Sequence, residues 1–220
     1  MLGEAFDPTA EFTIRETCKP HWSQAGAVVF LTMRLKDSIP RELIHRWDRQ
    51  RRDWLRRAGV LAVGDDDWAA AVERLDADKA DRFRQRFNTQ REVTLDDGLG
   101  RCELGRPPIA SAVAQSLLKF DGVRYRMGDF VIMPNHVHLL TVFASEEAMQ
   151  RQRTAWMRYT ARTLNPVMGR TGPWWQRDPF DHLVRSPTQY DYLRDYIRDD
   201  PTNAGLPADR YLYRRLPDGS

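Results

Sequence analysis

The sequence predicts an α+β fold built on a mixed, mainly antiparallel sheet, and three observations point there. Two apolar β-type runs, Tyr125 to Met133 and His136 to Phe143, follow each other with only Pro134-Asn135 between them, the spacing of neighbouring antiparallel strands. Strand-like and helix-like patterns interleave along the chain, yet no glycine-rich βαβ nucleotide fingerprint accompanies them. With 220 residues, 7 tryptophans and 9 phenylalanines, the chain can bury a real core and matches one domain carrying an insertion rather than a disordered segment.

Taken in order, residues 1–24 read as a polar, irregular N-terminal arm. Ala27 to Leu35 (AVVFLTMRL) is a compact apolar strand. Pro40 suits the first position of a helix, with Glu42 near its N-terminus, and Leu43, Trp47, Trp54 and Leu55 give it an apolar stripe amid Arg46, Arg49, Arg51 and Arg52. From residue 58 the chain reads as an inserted module, largely helical through residue 120. Asp65-Asp66-Asp67 caps a second helix with Trp68, Val72, Leu75 and Phe83 at near-helical spacing, and an irregular stretch runs from Asn88 to Arg106. Pro107-Pro108 opens a third helix through Ile109, Val113 and Leu117.

After the two adjacent strands, a fourth helix spans about Glu146 to Leu164 and stops at Asn165-Pro166. A short strand covers His182 to Arg185. Ser186, Pro187 and Gln189 form an N-cap, a first-position proline and a capping box for the last helix, which should end near Asp200 because Pro201 follows. This organisation gives an N-terminal arm over 1–24, a main domain over 25–206 with the helical insertion at 58–120, and a C-terminal tail over 207–220.

Composition narrows the partners. The net charge is +3 and the pI about 9.0, with arginine dominating the cations. Guanidinium forks suit phosphate, so this balance leans toward a polyanion, although a composition that simply avoids lysine accounts for it too. Cys18 and Cys102 have neither zinc-cluster nor disulfide-scaffold spacing and read as thiols in a reducing compartment. The first residues carry no signal-peptide pattern, and no apolar run approaches the roughly 20 residues of a membrane span. The sequence reading is therefore a soluble, cytoplasmic protein with no membrane partner.

Three groups of residues can carry chemistry. His136 and His138 flank Val137 on a strand, where alternate side chains share a face, so two imidazoles one pleat apart can chelate one divalent ion. Two surface histidines would have the same spacing. Tyr196 and Asp200 are four apart on a helix, hence on one face, where a phenol nucleophile would lie beside a ligand; from the spacing alone, a core tyrosine and a helix-end aspartate are the favoured reading. Arg151, Arg158 and Arg162 fall near one face of the fourth helix, with Arg153 and Trp156 close by. They offer either a phosphate-tracking surface with a stacking aromatic or an ordinary solvated face.

The segment Met133-Pro134-Asn135-His136-Val137-His138-Leu139-Leu140 resembles the HUH signature of single-strand DNA transposases. Trp175-Gln176, Phe180-Asp181-His182-Leu183-Val184-Arg185, Tyr196-Ile197-Arg198-Asp199-Asp200-Pro201 and Asn203-Ala204-Gly205-Leu206 are similar, in order and spacing, to blocks of the REP-associated tyrosine transposases. Pro20-His21-Trp22 with the first strand resembles a longer-inserted branch of that family.

The resemblance implies a ferredoxin-like, mainly antiparallel sheet with helices on one face and the histidine pair on a central strand. It implies Tyr196 as the catalytic nucleophile, and His136, His138 and the residue four beyond the tyrosine as ligands of Mg2+ or Mn2+. That residue is usually Asn or Gln in the family and is Asp200 here. It further implies a single-stranded DNA endonuclease and strand transferase acting on hairpin-bearing, REP-like palindromes through a 5′-phosphotyrosine, as a monomer or homodimer. Arg151, Arg158, Arg162, Trp156 and Arg185 are the candidate DNA contacts, with Asp181 and His182 as supports of the site.

Two other readings compete. A non-catalytic binder of palindromic repeat DNA would keep the fold and lose the chemistry, and Asp200 is the departure that favours it. A small-molecule metallohydrolase would need more histidines than His21, His45 and His182 supply.

Overall fold

The structure, a computed structural model, describes residues 1–16, 20–60, 71–96, 99–176 and 179–215. The chain forms two compact units: Asp37–Arg101, and the remainder on either side of it.

The larger unit is organised by one five-stranded sheet. Its strands are β3 (Val28–Arg34), β4 (Arg126–Ile132), β5 (His136–Val142), β6 (Phe180–Leu183) and β7 (Leu212–Arg214), in the order β6-β3-β5-β4-β7. Every pair is antiparallel. Leaving the edge strand β7 aside, β6-β3-β5-β4 is the strand order of a ferredoxin-like sheet, as the resemblance implies. β-Branched and apolar residues fill β3 and β5, both buried throughout because helices cover both faces.

Those helices are α3 (Pro107–Leu118), α4 (Glu146–Val167) and α5 (Pro187–Asn203). Ile109, Val113 and Leu117 of α3 and Met149, Trp156 and Leu164 of α4 pack with Val29, Leu31, Met33, Val137 and Leu139 on one face. On the other face Tyr190, Leu193 and Ile197 of α5 pack with Val28, Phe30, Leu140 and Val142. Helices on one face alone is thus corrected: the apolar stripe of α5 needs a partner, and the face that α3 and α4 leave uncovered supplies it.

Helix ends follow local chemistry, with two departures. Ser145 caps α4 through Ala148 N–H at 3.2 Å and Ser186 caps α5 through Gln189 N–H at 3.1 Å. Both helices run past the prolines expected to end them, α4 through Pro166 and α5 through Pro201 to Asn203. A proline in the last turn lacks one donor, but Pro201 is buried and the carbonyls around it are taken up, Asp200 O by Ala204 N–H and Pro201 O by Leu206 N–H, both at 2.9 Å. Asp200 therefore sits inside a helix rather than at its end.

The N-terminal residues lie against the sheet before forming a hairpin. Leu2 is buried against Val28 and Val142, Val28 N–H donates to Glu4 O at 2.9 Å, and β1 (Thr13–Glu16) pairs with β2 (Pro20–Ser23) as a hairpin. Likewise β7 adds an edge strand within the expected C-terminal tail. Cys18 lies outside the described residues.

In the smaller unit, α1 (Arg41–Arg57) and α2 (Ala77–Asp96) enclose Leu55, Val60, Val72, Phe83 and Phe87. Val72 and Phe83 do not share the one helix expected of them. A turn separates them, and Asp76 Oδ1 accepts Lys79 N–H at 2.9 Å to start α2 afresh. The capping triplet Asp65–Asp67 and Trp68 lie outside the described residues. α2 extends to Asp96, well into the stretch from Asn88 expected to be irregular.

Candidate metal centre

β5 carries His136 and His138 on the face covered by α5, while Val137 between them enters the opposite core. Their rings lie 4.5 Å apart between centroids and share one environment. α5 brings Asp200 over them. The three side chains are 1%, 2% and 3% exposed, and one ligand atom from each lies within 4.8 Å of the others.

The spacing is that of a ligand set rather than of a hydrogen-bonded cluster. His136 Nε2 is 3.6 Å and His138 Nε2 3.8 Å from Asp200 Oδ2, beyond hydrogen-bond reach. His136 Nε2 and Asp200 Oδ2 are buried with no hydrogen-bond partner. Leaving such atoms unsatisfied is costly unless something else satisfies them. An ion about 2.0–2.2 Å from each donor holds them roughly 3–3.5 Å apart, close to what is found. Two imidazoles and a carboxylate accordingly fit a divalent cation.

The other side of each imidazole is fixed. Asn135 Oδ1 contacts His136 Nδ1 at 2.7 Å, and Thr32 Oγ1 contacts His138 Nδ1 at 2.8 Å. An amide oxygen can only accept, so neutral His136 keeps its proton on Nδ1 and turns the Nε2 lone pair toward Asp200. Such outer partners set ring orientation and ligand basicity. Burial first, then the neighbouring His136 and Arg34, holds the His138 imidazole well below its usual value and hence neutral.

Tyr196, one helical turn before Asp200, is half-buried. Its ring meets His138 edge-on at 5.4 Å and Phe30 at 6.1 Å. The phenol therefore borders the cluster and is not sealed in the interior.

Other candidates lie elsewhere. Trp156 is 1% exposed, edge-on to Tyr125 at 4.9 Å, so it is a core residue and cannot stack on a base; the helix face that carries it turns inward against the sheet. Arg151, Arg158 and Arg162 are exposed on α4, and the sheet stands between that helix and the histidines. Arg185 is exposed just beyond β6.

Asp181 pairs in register with Leu31 and so faces the α4 side, away from the cluster. It accepts from Arg153 at 2.7 Å and contacts His21 Nδ1 at 2.6 Å, tying the hairpin and α4 to β6. His182 is on the cluster's face but engages Gln189 at 2.9 Å; burial and then Arg185 lower its pKa. Gln189 does not complete the expected capping box, because its side-chain oxygen accepts from Arg185 N–H at 2.7 Å instead.

Thr32, Asn135 and Arg34 belong to this site and were not singled out from sequence. A signal existed. Thr32 and Arg34 are the polar positions, two apart, of an otherwise apolar strand, so they mark one end of one face.

No family model and no curated protein matches the sequence. Among solved structures the chain is similar to a REP-associated tyrosine transposase bound to a REP hairpin, at 13% identity and a TM-score of 0.35, covering 84% of this chain and 72% of that one.

Proposed function

We propose that the chain is a metal-dependent endonuclease and strand transferase for single-stranded DNA, with Tyr196 as nucleophile and hairpin-bearing, REP-like palindromes as substrate. The observation that carries this reading is the convergence of His136, His138 and Asp200 with the Tyr196 ring at its border.

A divalent ion, Mg2+ or Mn2+, held by His136, His138 and Asp200 would supply Lewis-acid polarisation of a phosphate. The chain's own residues do the rest. Asn135 holds the His136 imidazole in the tautomer that leaves Nε2 unprotonated, and Thr32 fixes the orientation of the His138 ring through its Nδ1. Tyr196 Oη attacks phosphorus in line, the bond from phosphorus to the 3′-oxygen breaks, and the phenolic proton ends on that oxygen. The products are a 5′-phosphotyrosyl protein and a free 3′-hydroxyl. Attack by a 3′-hydroxyl reverses the step and joins strands without an external energy source, because the phosphotyrosine conserves the phosphodiester bond.

The three ligand residues are nearly sealed, and the half-buried Tyr196 ring stands at their border. Arg185, exposed just beyond β6, contacts the DNA strand. Arg151, Arg158 and Arg162, across the sheet, contact phosphates of the hairpin remote from the cut.

The test is incubation with hairpin-bearing single-stranded DNA and Mn2+, followed by denaturing electrophoresis. A covalent protein–DNA adduct is expected from the wild type and none from Tyr196→Phe. No wild-type adduct, or an undiminished one from Tyr196→Phe, overturns the proposal, and stoichiometric hairpin binding without any adduct would identify a non-catalytic binder.

A further inference from the structure

The N-terminal hairpin carries aromatic rings that the core does not use. Ile14 faces Trp22 in its register, and His21 and Ser23 on either side of Trp22 are buried, so alternation turns Trp22 outward. Trp22 is 37% exposed, and neither it nor Phe12 joins the buried core on either face of the sheet. Phe12 lies flat against one face of the Trp22 ring, with 5.3 Å between centroids, and Phe6 meets both edge-on. An exposed aromatic is ordinary by itself. This one walls a cavity.

Trp22, Phe6 and Phe180 line a cavity of about 170 Å³ against β6. That is below the roughly 300–1,000 Å³ of pockets for drug-sized ligands and suits a single planar ring system. Asp181, His182 and Arg185 also line it. Asp181 is already taken by His21 and Arg153, and His182 by Gln189. Arg185 is exposed, with no side-chain ion pair or hydrogen bond among the described residues. The uncommitted charge at the cavity is therefore a guanidinium. A fitting occupant is flat, stacks on aromatic rings and carries an anion beside it. One nucleotide of a single strand has both parts, since every base has a π-face and its phosphate suits the guanidinium fork.

The cavity is also in line with the metal centre. Phe180 stands opposite Thr32 on β3, and Thr32 opposite His138 on β5. Residues facing each other across antiparallel strands project from the same side of the sheet. Phe180 thus shares the side of the histidines, two strand spacings or about 10 Å from His138.

We propose that this cavity is a nucleobase subsite. An unpaired base close to the phosphate at His136, His138 and Asp200 leaves its neighbours and inserts against Trp22, with Arg185 on the adjoining phosphate. The His21 contact to Asp181 pins the hairpin to β6, so the stacking wall is in place before DNA arrives. The proposal rests on the single-stranded DNA reading given above and adds the place where one base is held.

The experiment is anisotropy titration, in Mn2+, of a labelled hairpin oligodeoxynucleotide with unpaired flanks by the full chain carrying Tyr196→Phe, which prevents turnover. Each unpaired nucleotide is made abasic in turn. One position is expected to lose about 5- to 150-fold in affinity, the range for one base stacked on an aromatic side chain. Adding Trp22→Ala should cost a similar factor on the intact oligonucleotide and nothing further on the one abasic at that position. Trp22→Phe should keep most of the affinity and the same sensitive position. Arg185→Gln should weaken every oligonucleotide alike.

A series with no sensitive position overturns the proposal, as does a Trp22→Ala loss that simply adds to the abasic loss there. Undiminished binding by Arg185→Gln overturns the part assigned to Arg185. Should Trp22→Ala fail to fold, 2-aminopurine at the sensitive position decides in the parent: quenching on binding supports stacking, and unquenched fluorescence overturns it. A sensitive position that depends on Trp22, without any covalent adduct from the wild type, would sink the cleavage reading and leave the subsite standing. Adduct formation with a flat abasic series would do the reverse.

Discussion

Two buried groups of ionisable side chains lie on opposite faces of the same sheet and differ in one respect. On the α4 face, His21, Asp181 and Arg153 are closed up at 2.6 and 2.7 Å, each charge meeting a partner. On the α5 face, His136, His138 and Asp200 converge just as closely in space but stop at 3.6 and 3.8 Å, with two atoms left unsatisfied. Burial is comparable, so burial alone does not separate a structural tie from a binding centre. The distinction is whether the polar atoms satisfy one another. A closed group holds the hairpin, β6 and α4 together; an open one stores a requirement that a ligand can meet.

The sharpest way to break this comparison is to delete the carboxylate of each. Asp181→Leu leaves Arg153 buried without its counter-charge and is expected to cost about 3–5 kcal/mol in denaturant unfolding. Its Mn2+ affinity in a folded sample should be unchanged. Asp200→Leu removes a costly unpaired group, so the metal-free protein is expected to be as stable as the wild type or more so, with Mn2+ binding lost. Equal destabilisation by both would erase the contrast.

A smaller effect sharpens it. If Asn135 and Thr32 orient ligands, Asn135→Ala and Thr32→Val should each weaken Mn2+ by about 10- to 100-fold while the chain stays folded. Wild-type affinity in both would mean that the imidazoles orient themselves.

The pH dependence should be milder. Burial holds His138 in the folded protein well below the ordinary imidazole value of about 6.5, so below 6.5 the unfolded chain binds the extra proton. Stability is therefore expected to fall as pH drops through about 6.5 and on toward the folded value, and to be free of this penalty above it. His138→Gln should flatten that slope between pH 7.5 and 5.5 in thermal melts of the metal-free protein. An unaltered slope would show that His138 does not carry it.

The least effect belongs to the outer surface. Substituting Arg151, Arg158 or Arg162 by Gln should each lower the slope of log affinity against log salt for hairpin DNA by about 1, without altering Mn2+ affinity. No change in slope would remove α4 from the DNA path.

Much of this molecule is visible in local sequence. The Pro134-Asn135 break, the alternation around His136 and His138, the cap at Ser186 and the four-residue interval from Tyr196 to Asp200 depend on neighbours a few positions away. Strands, helices and shared faces follow from them. What sequence could not decide involves residues far apart. Thr32 meets His138 across 106 positions and His21 meets Asp181 across 160. Such contacts depend on strand order and register, which no local pattern encodes. The same reason explains Trp156, whose helical spacing beside arginines suggested a surface until the packing of α4 turned it into the core. It also explains α5: its amphipathic stripe was legible, but only the sheet face left open by α3 and α4 determined that Asp200 would descend onto the histidines.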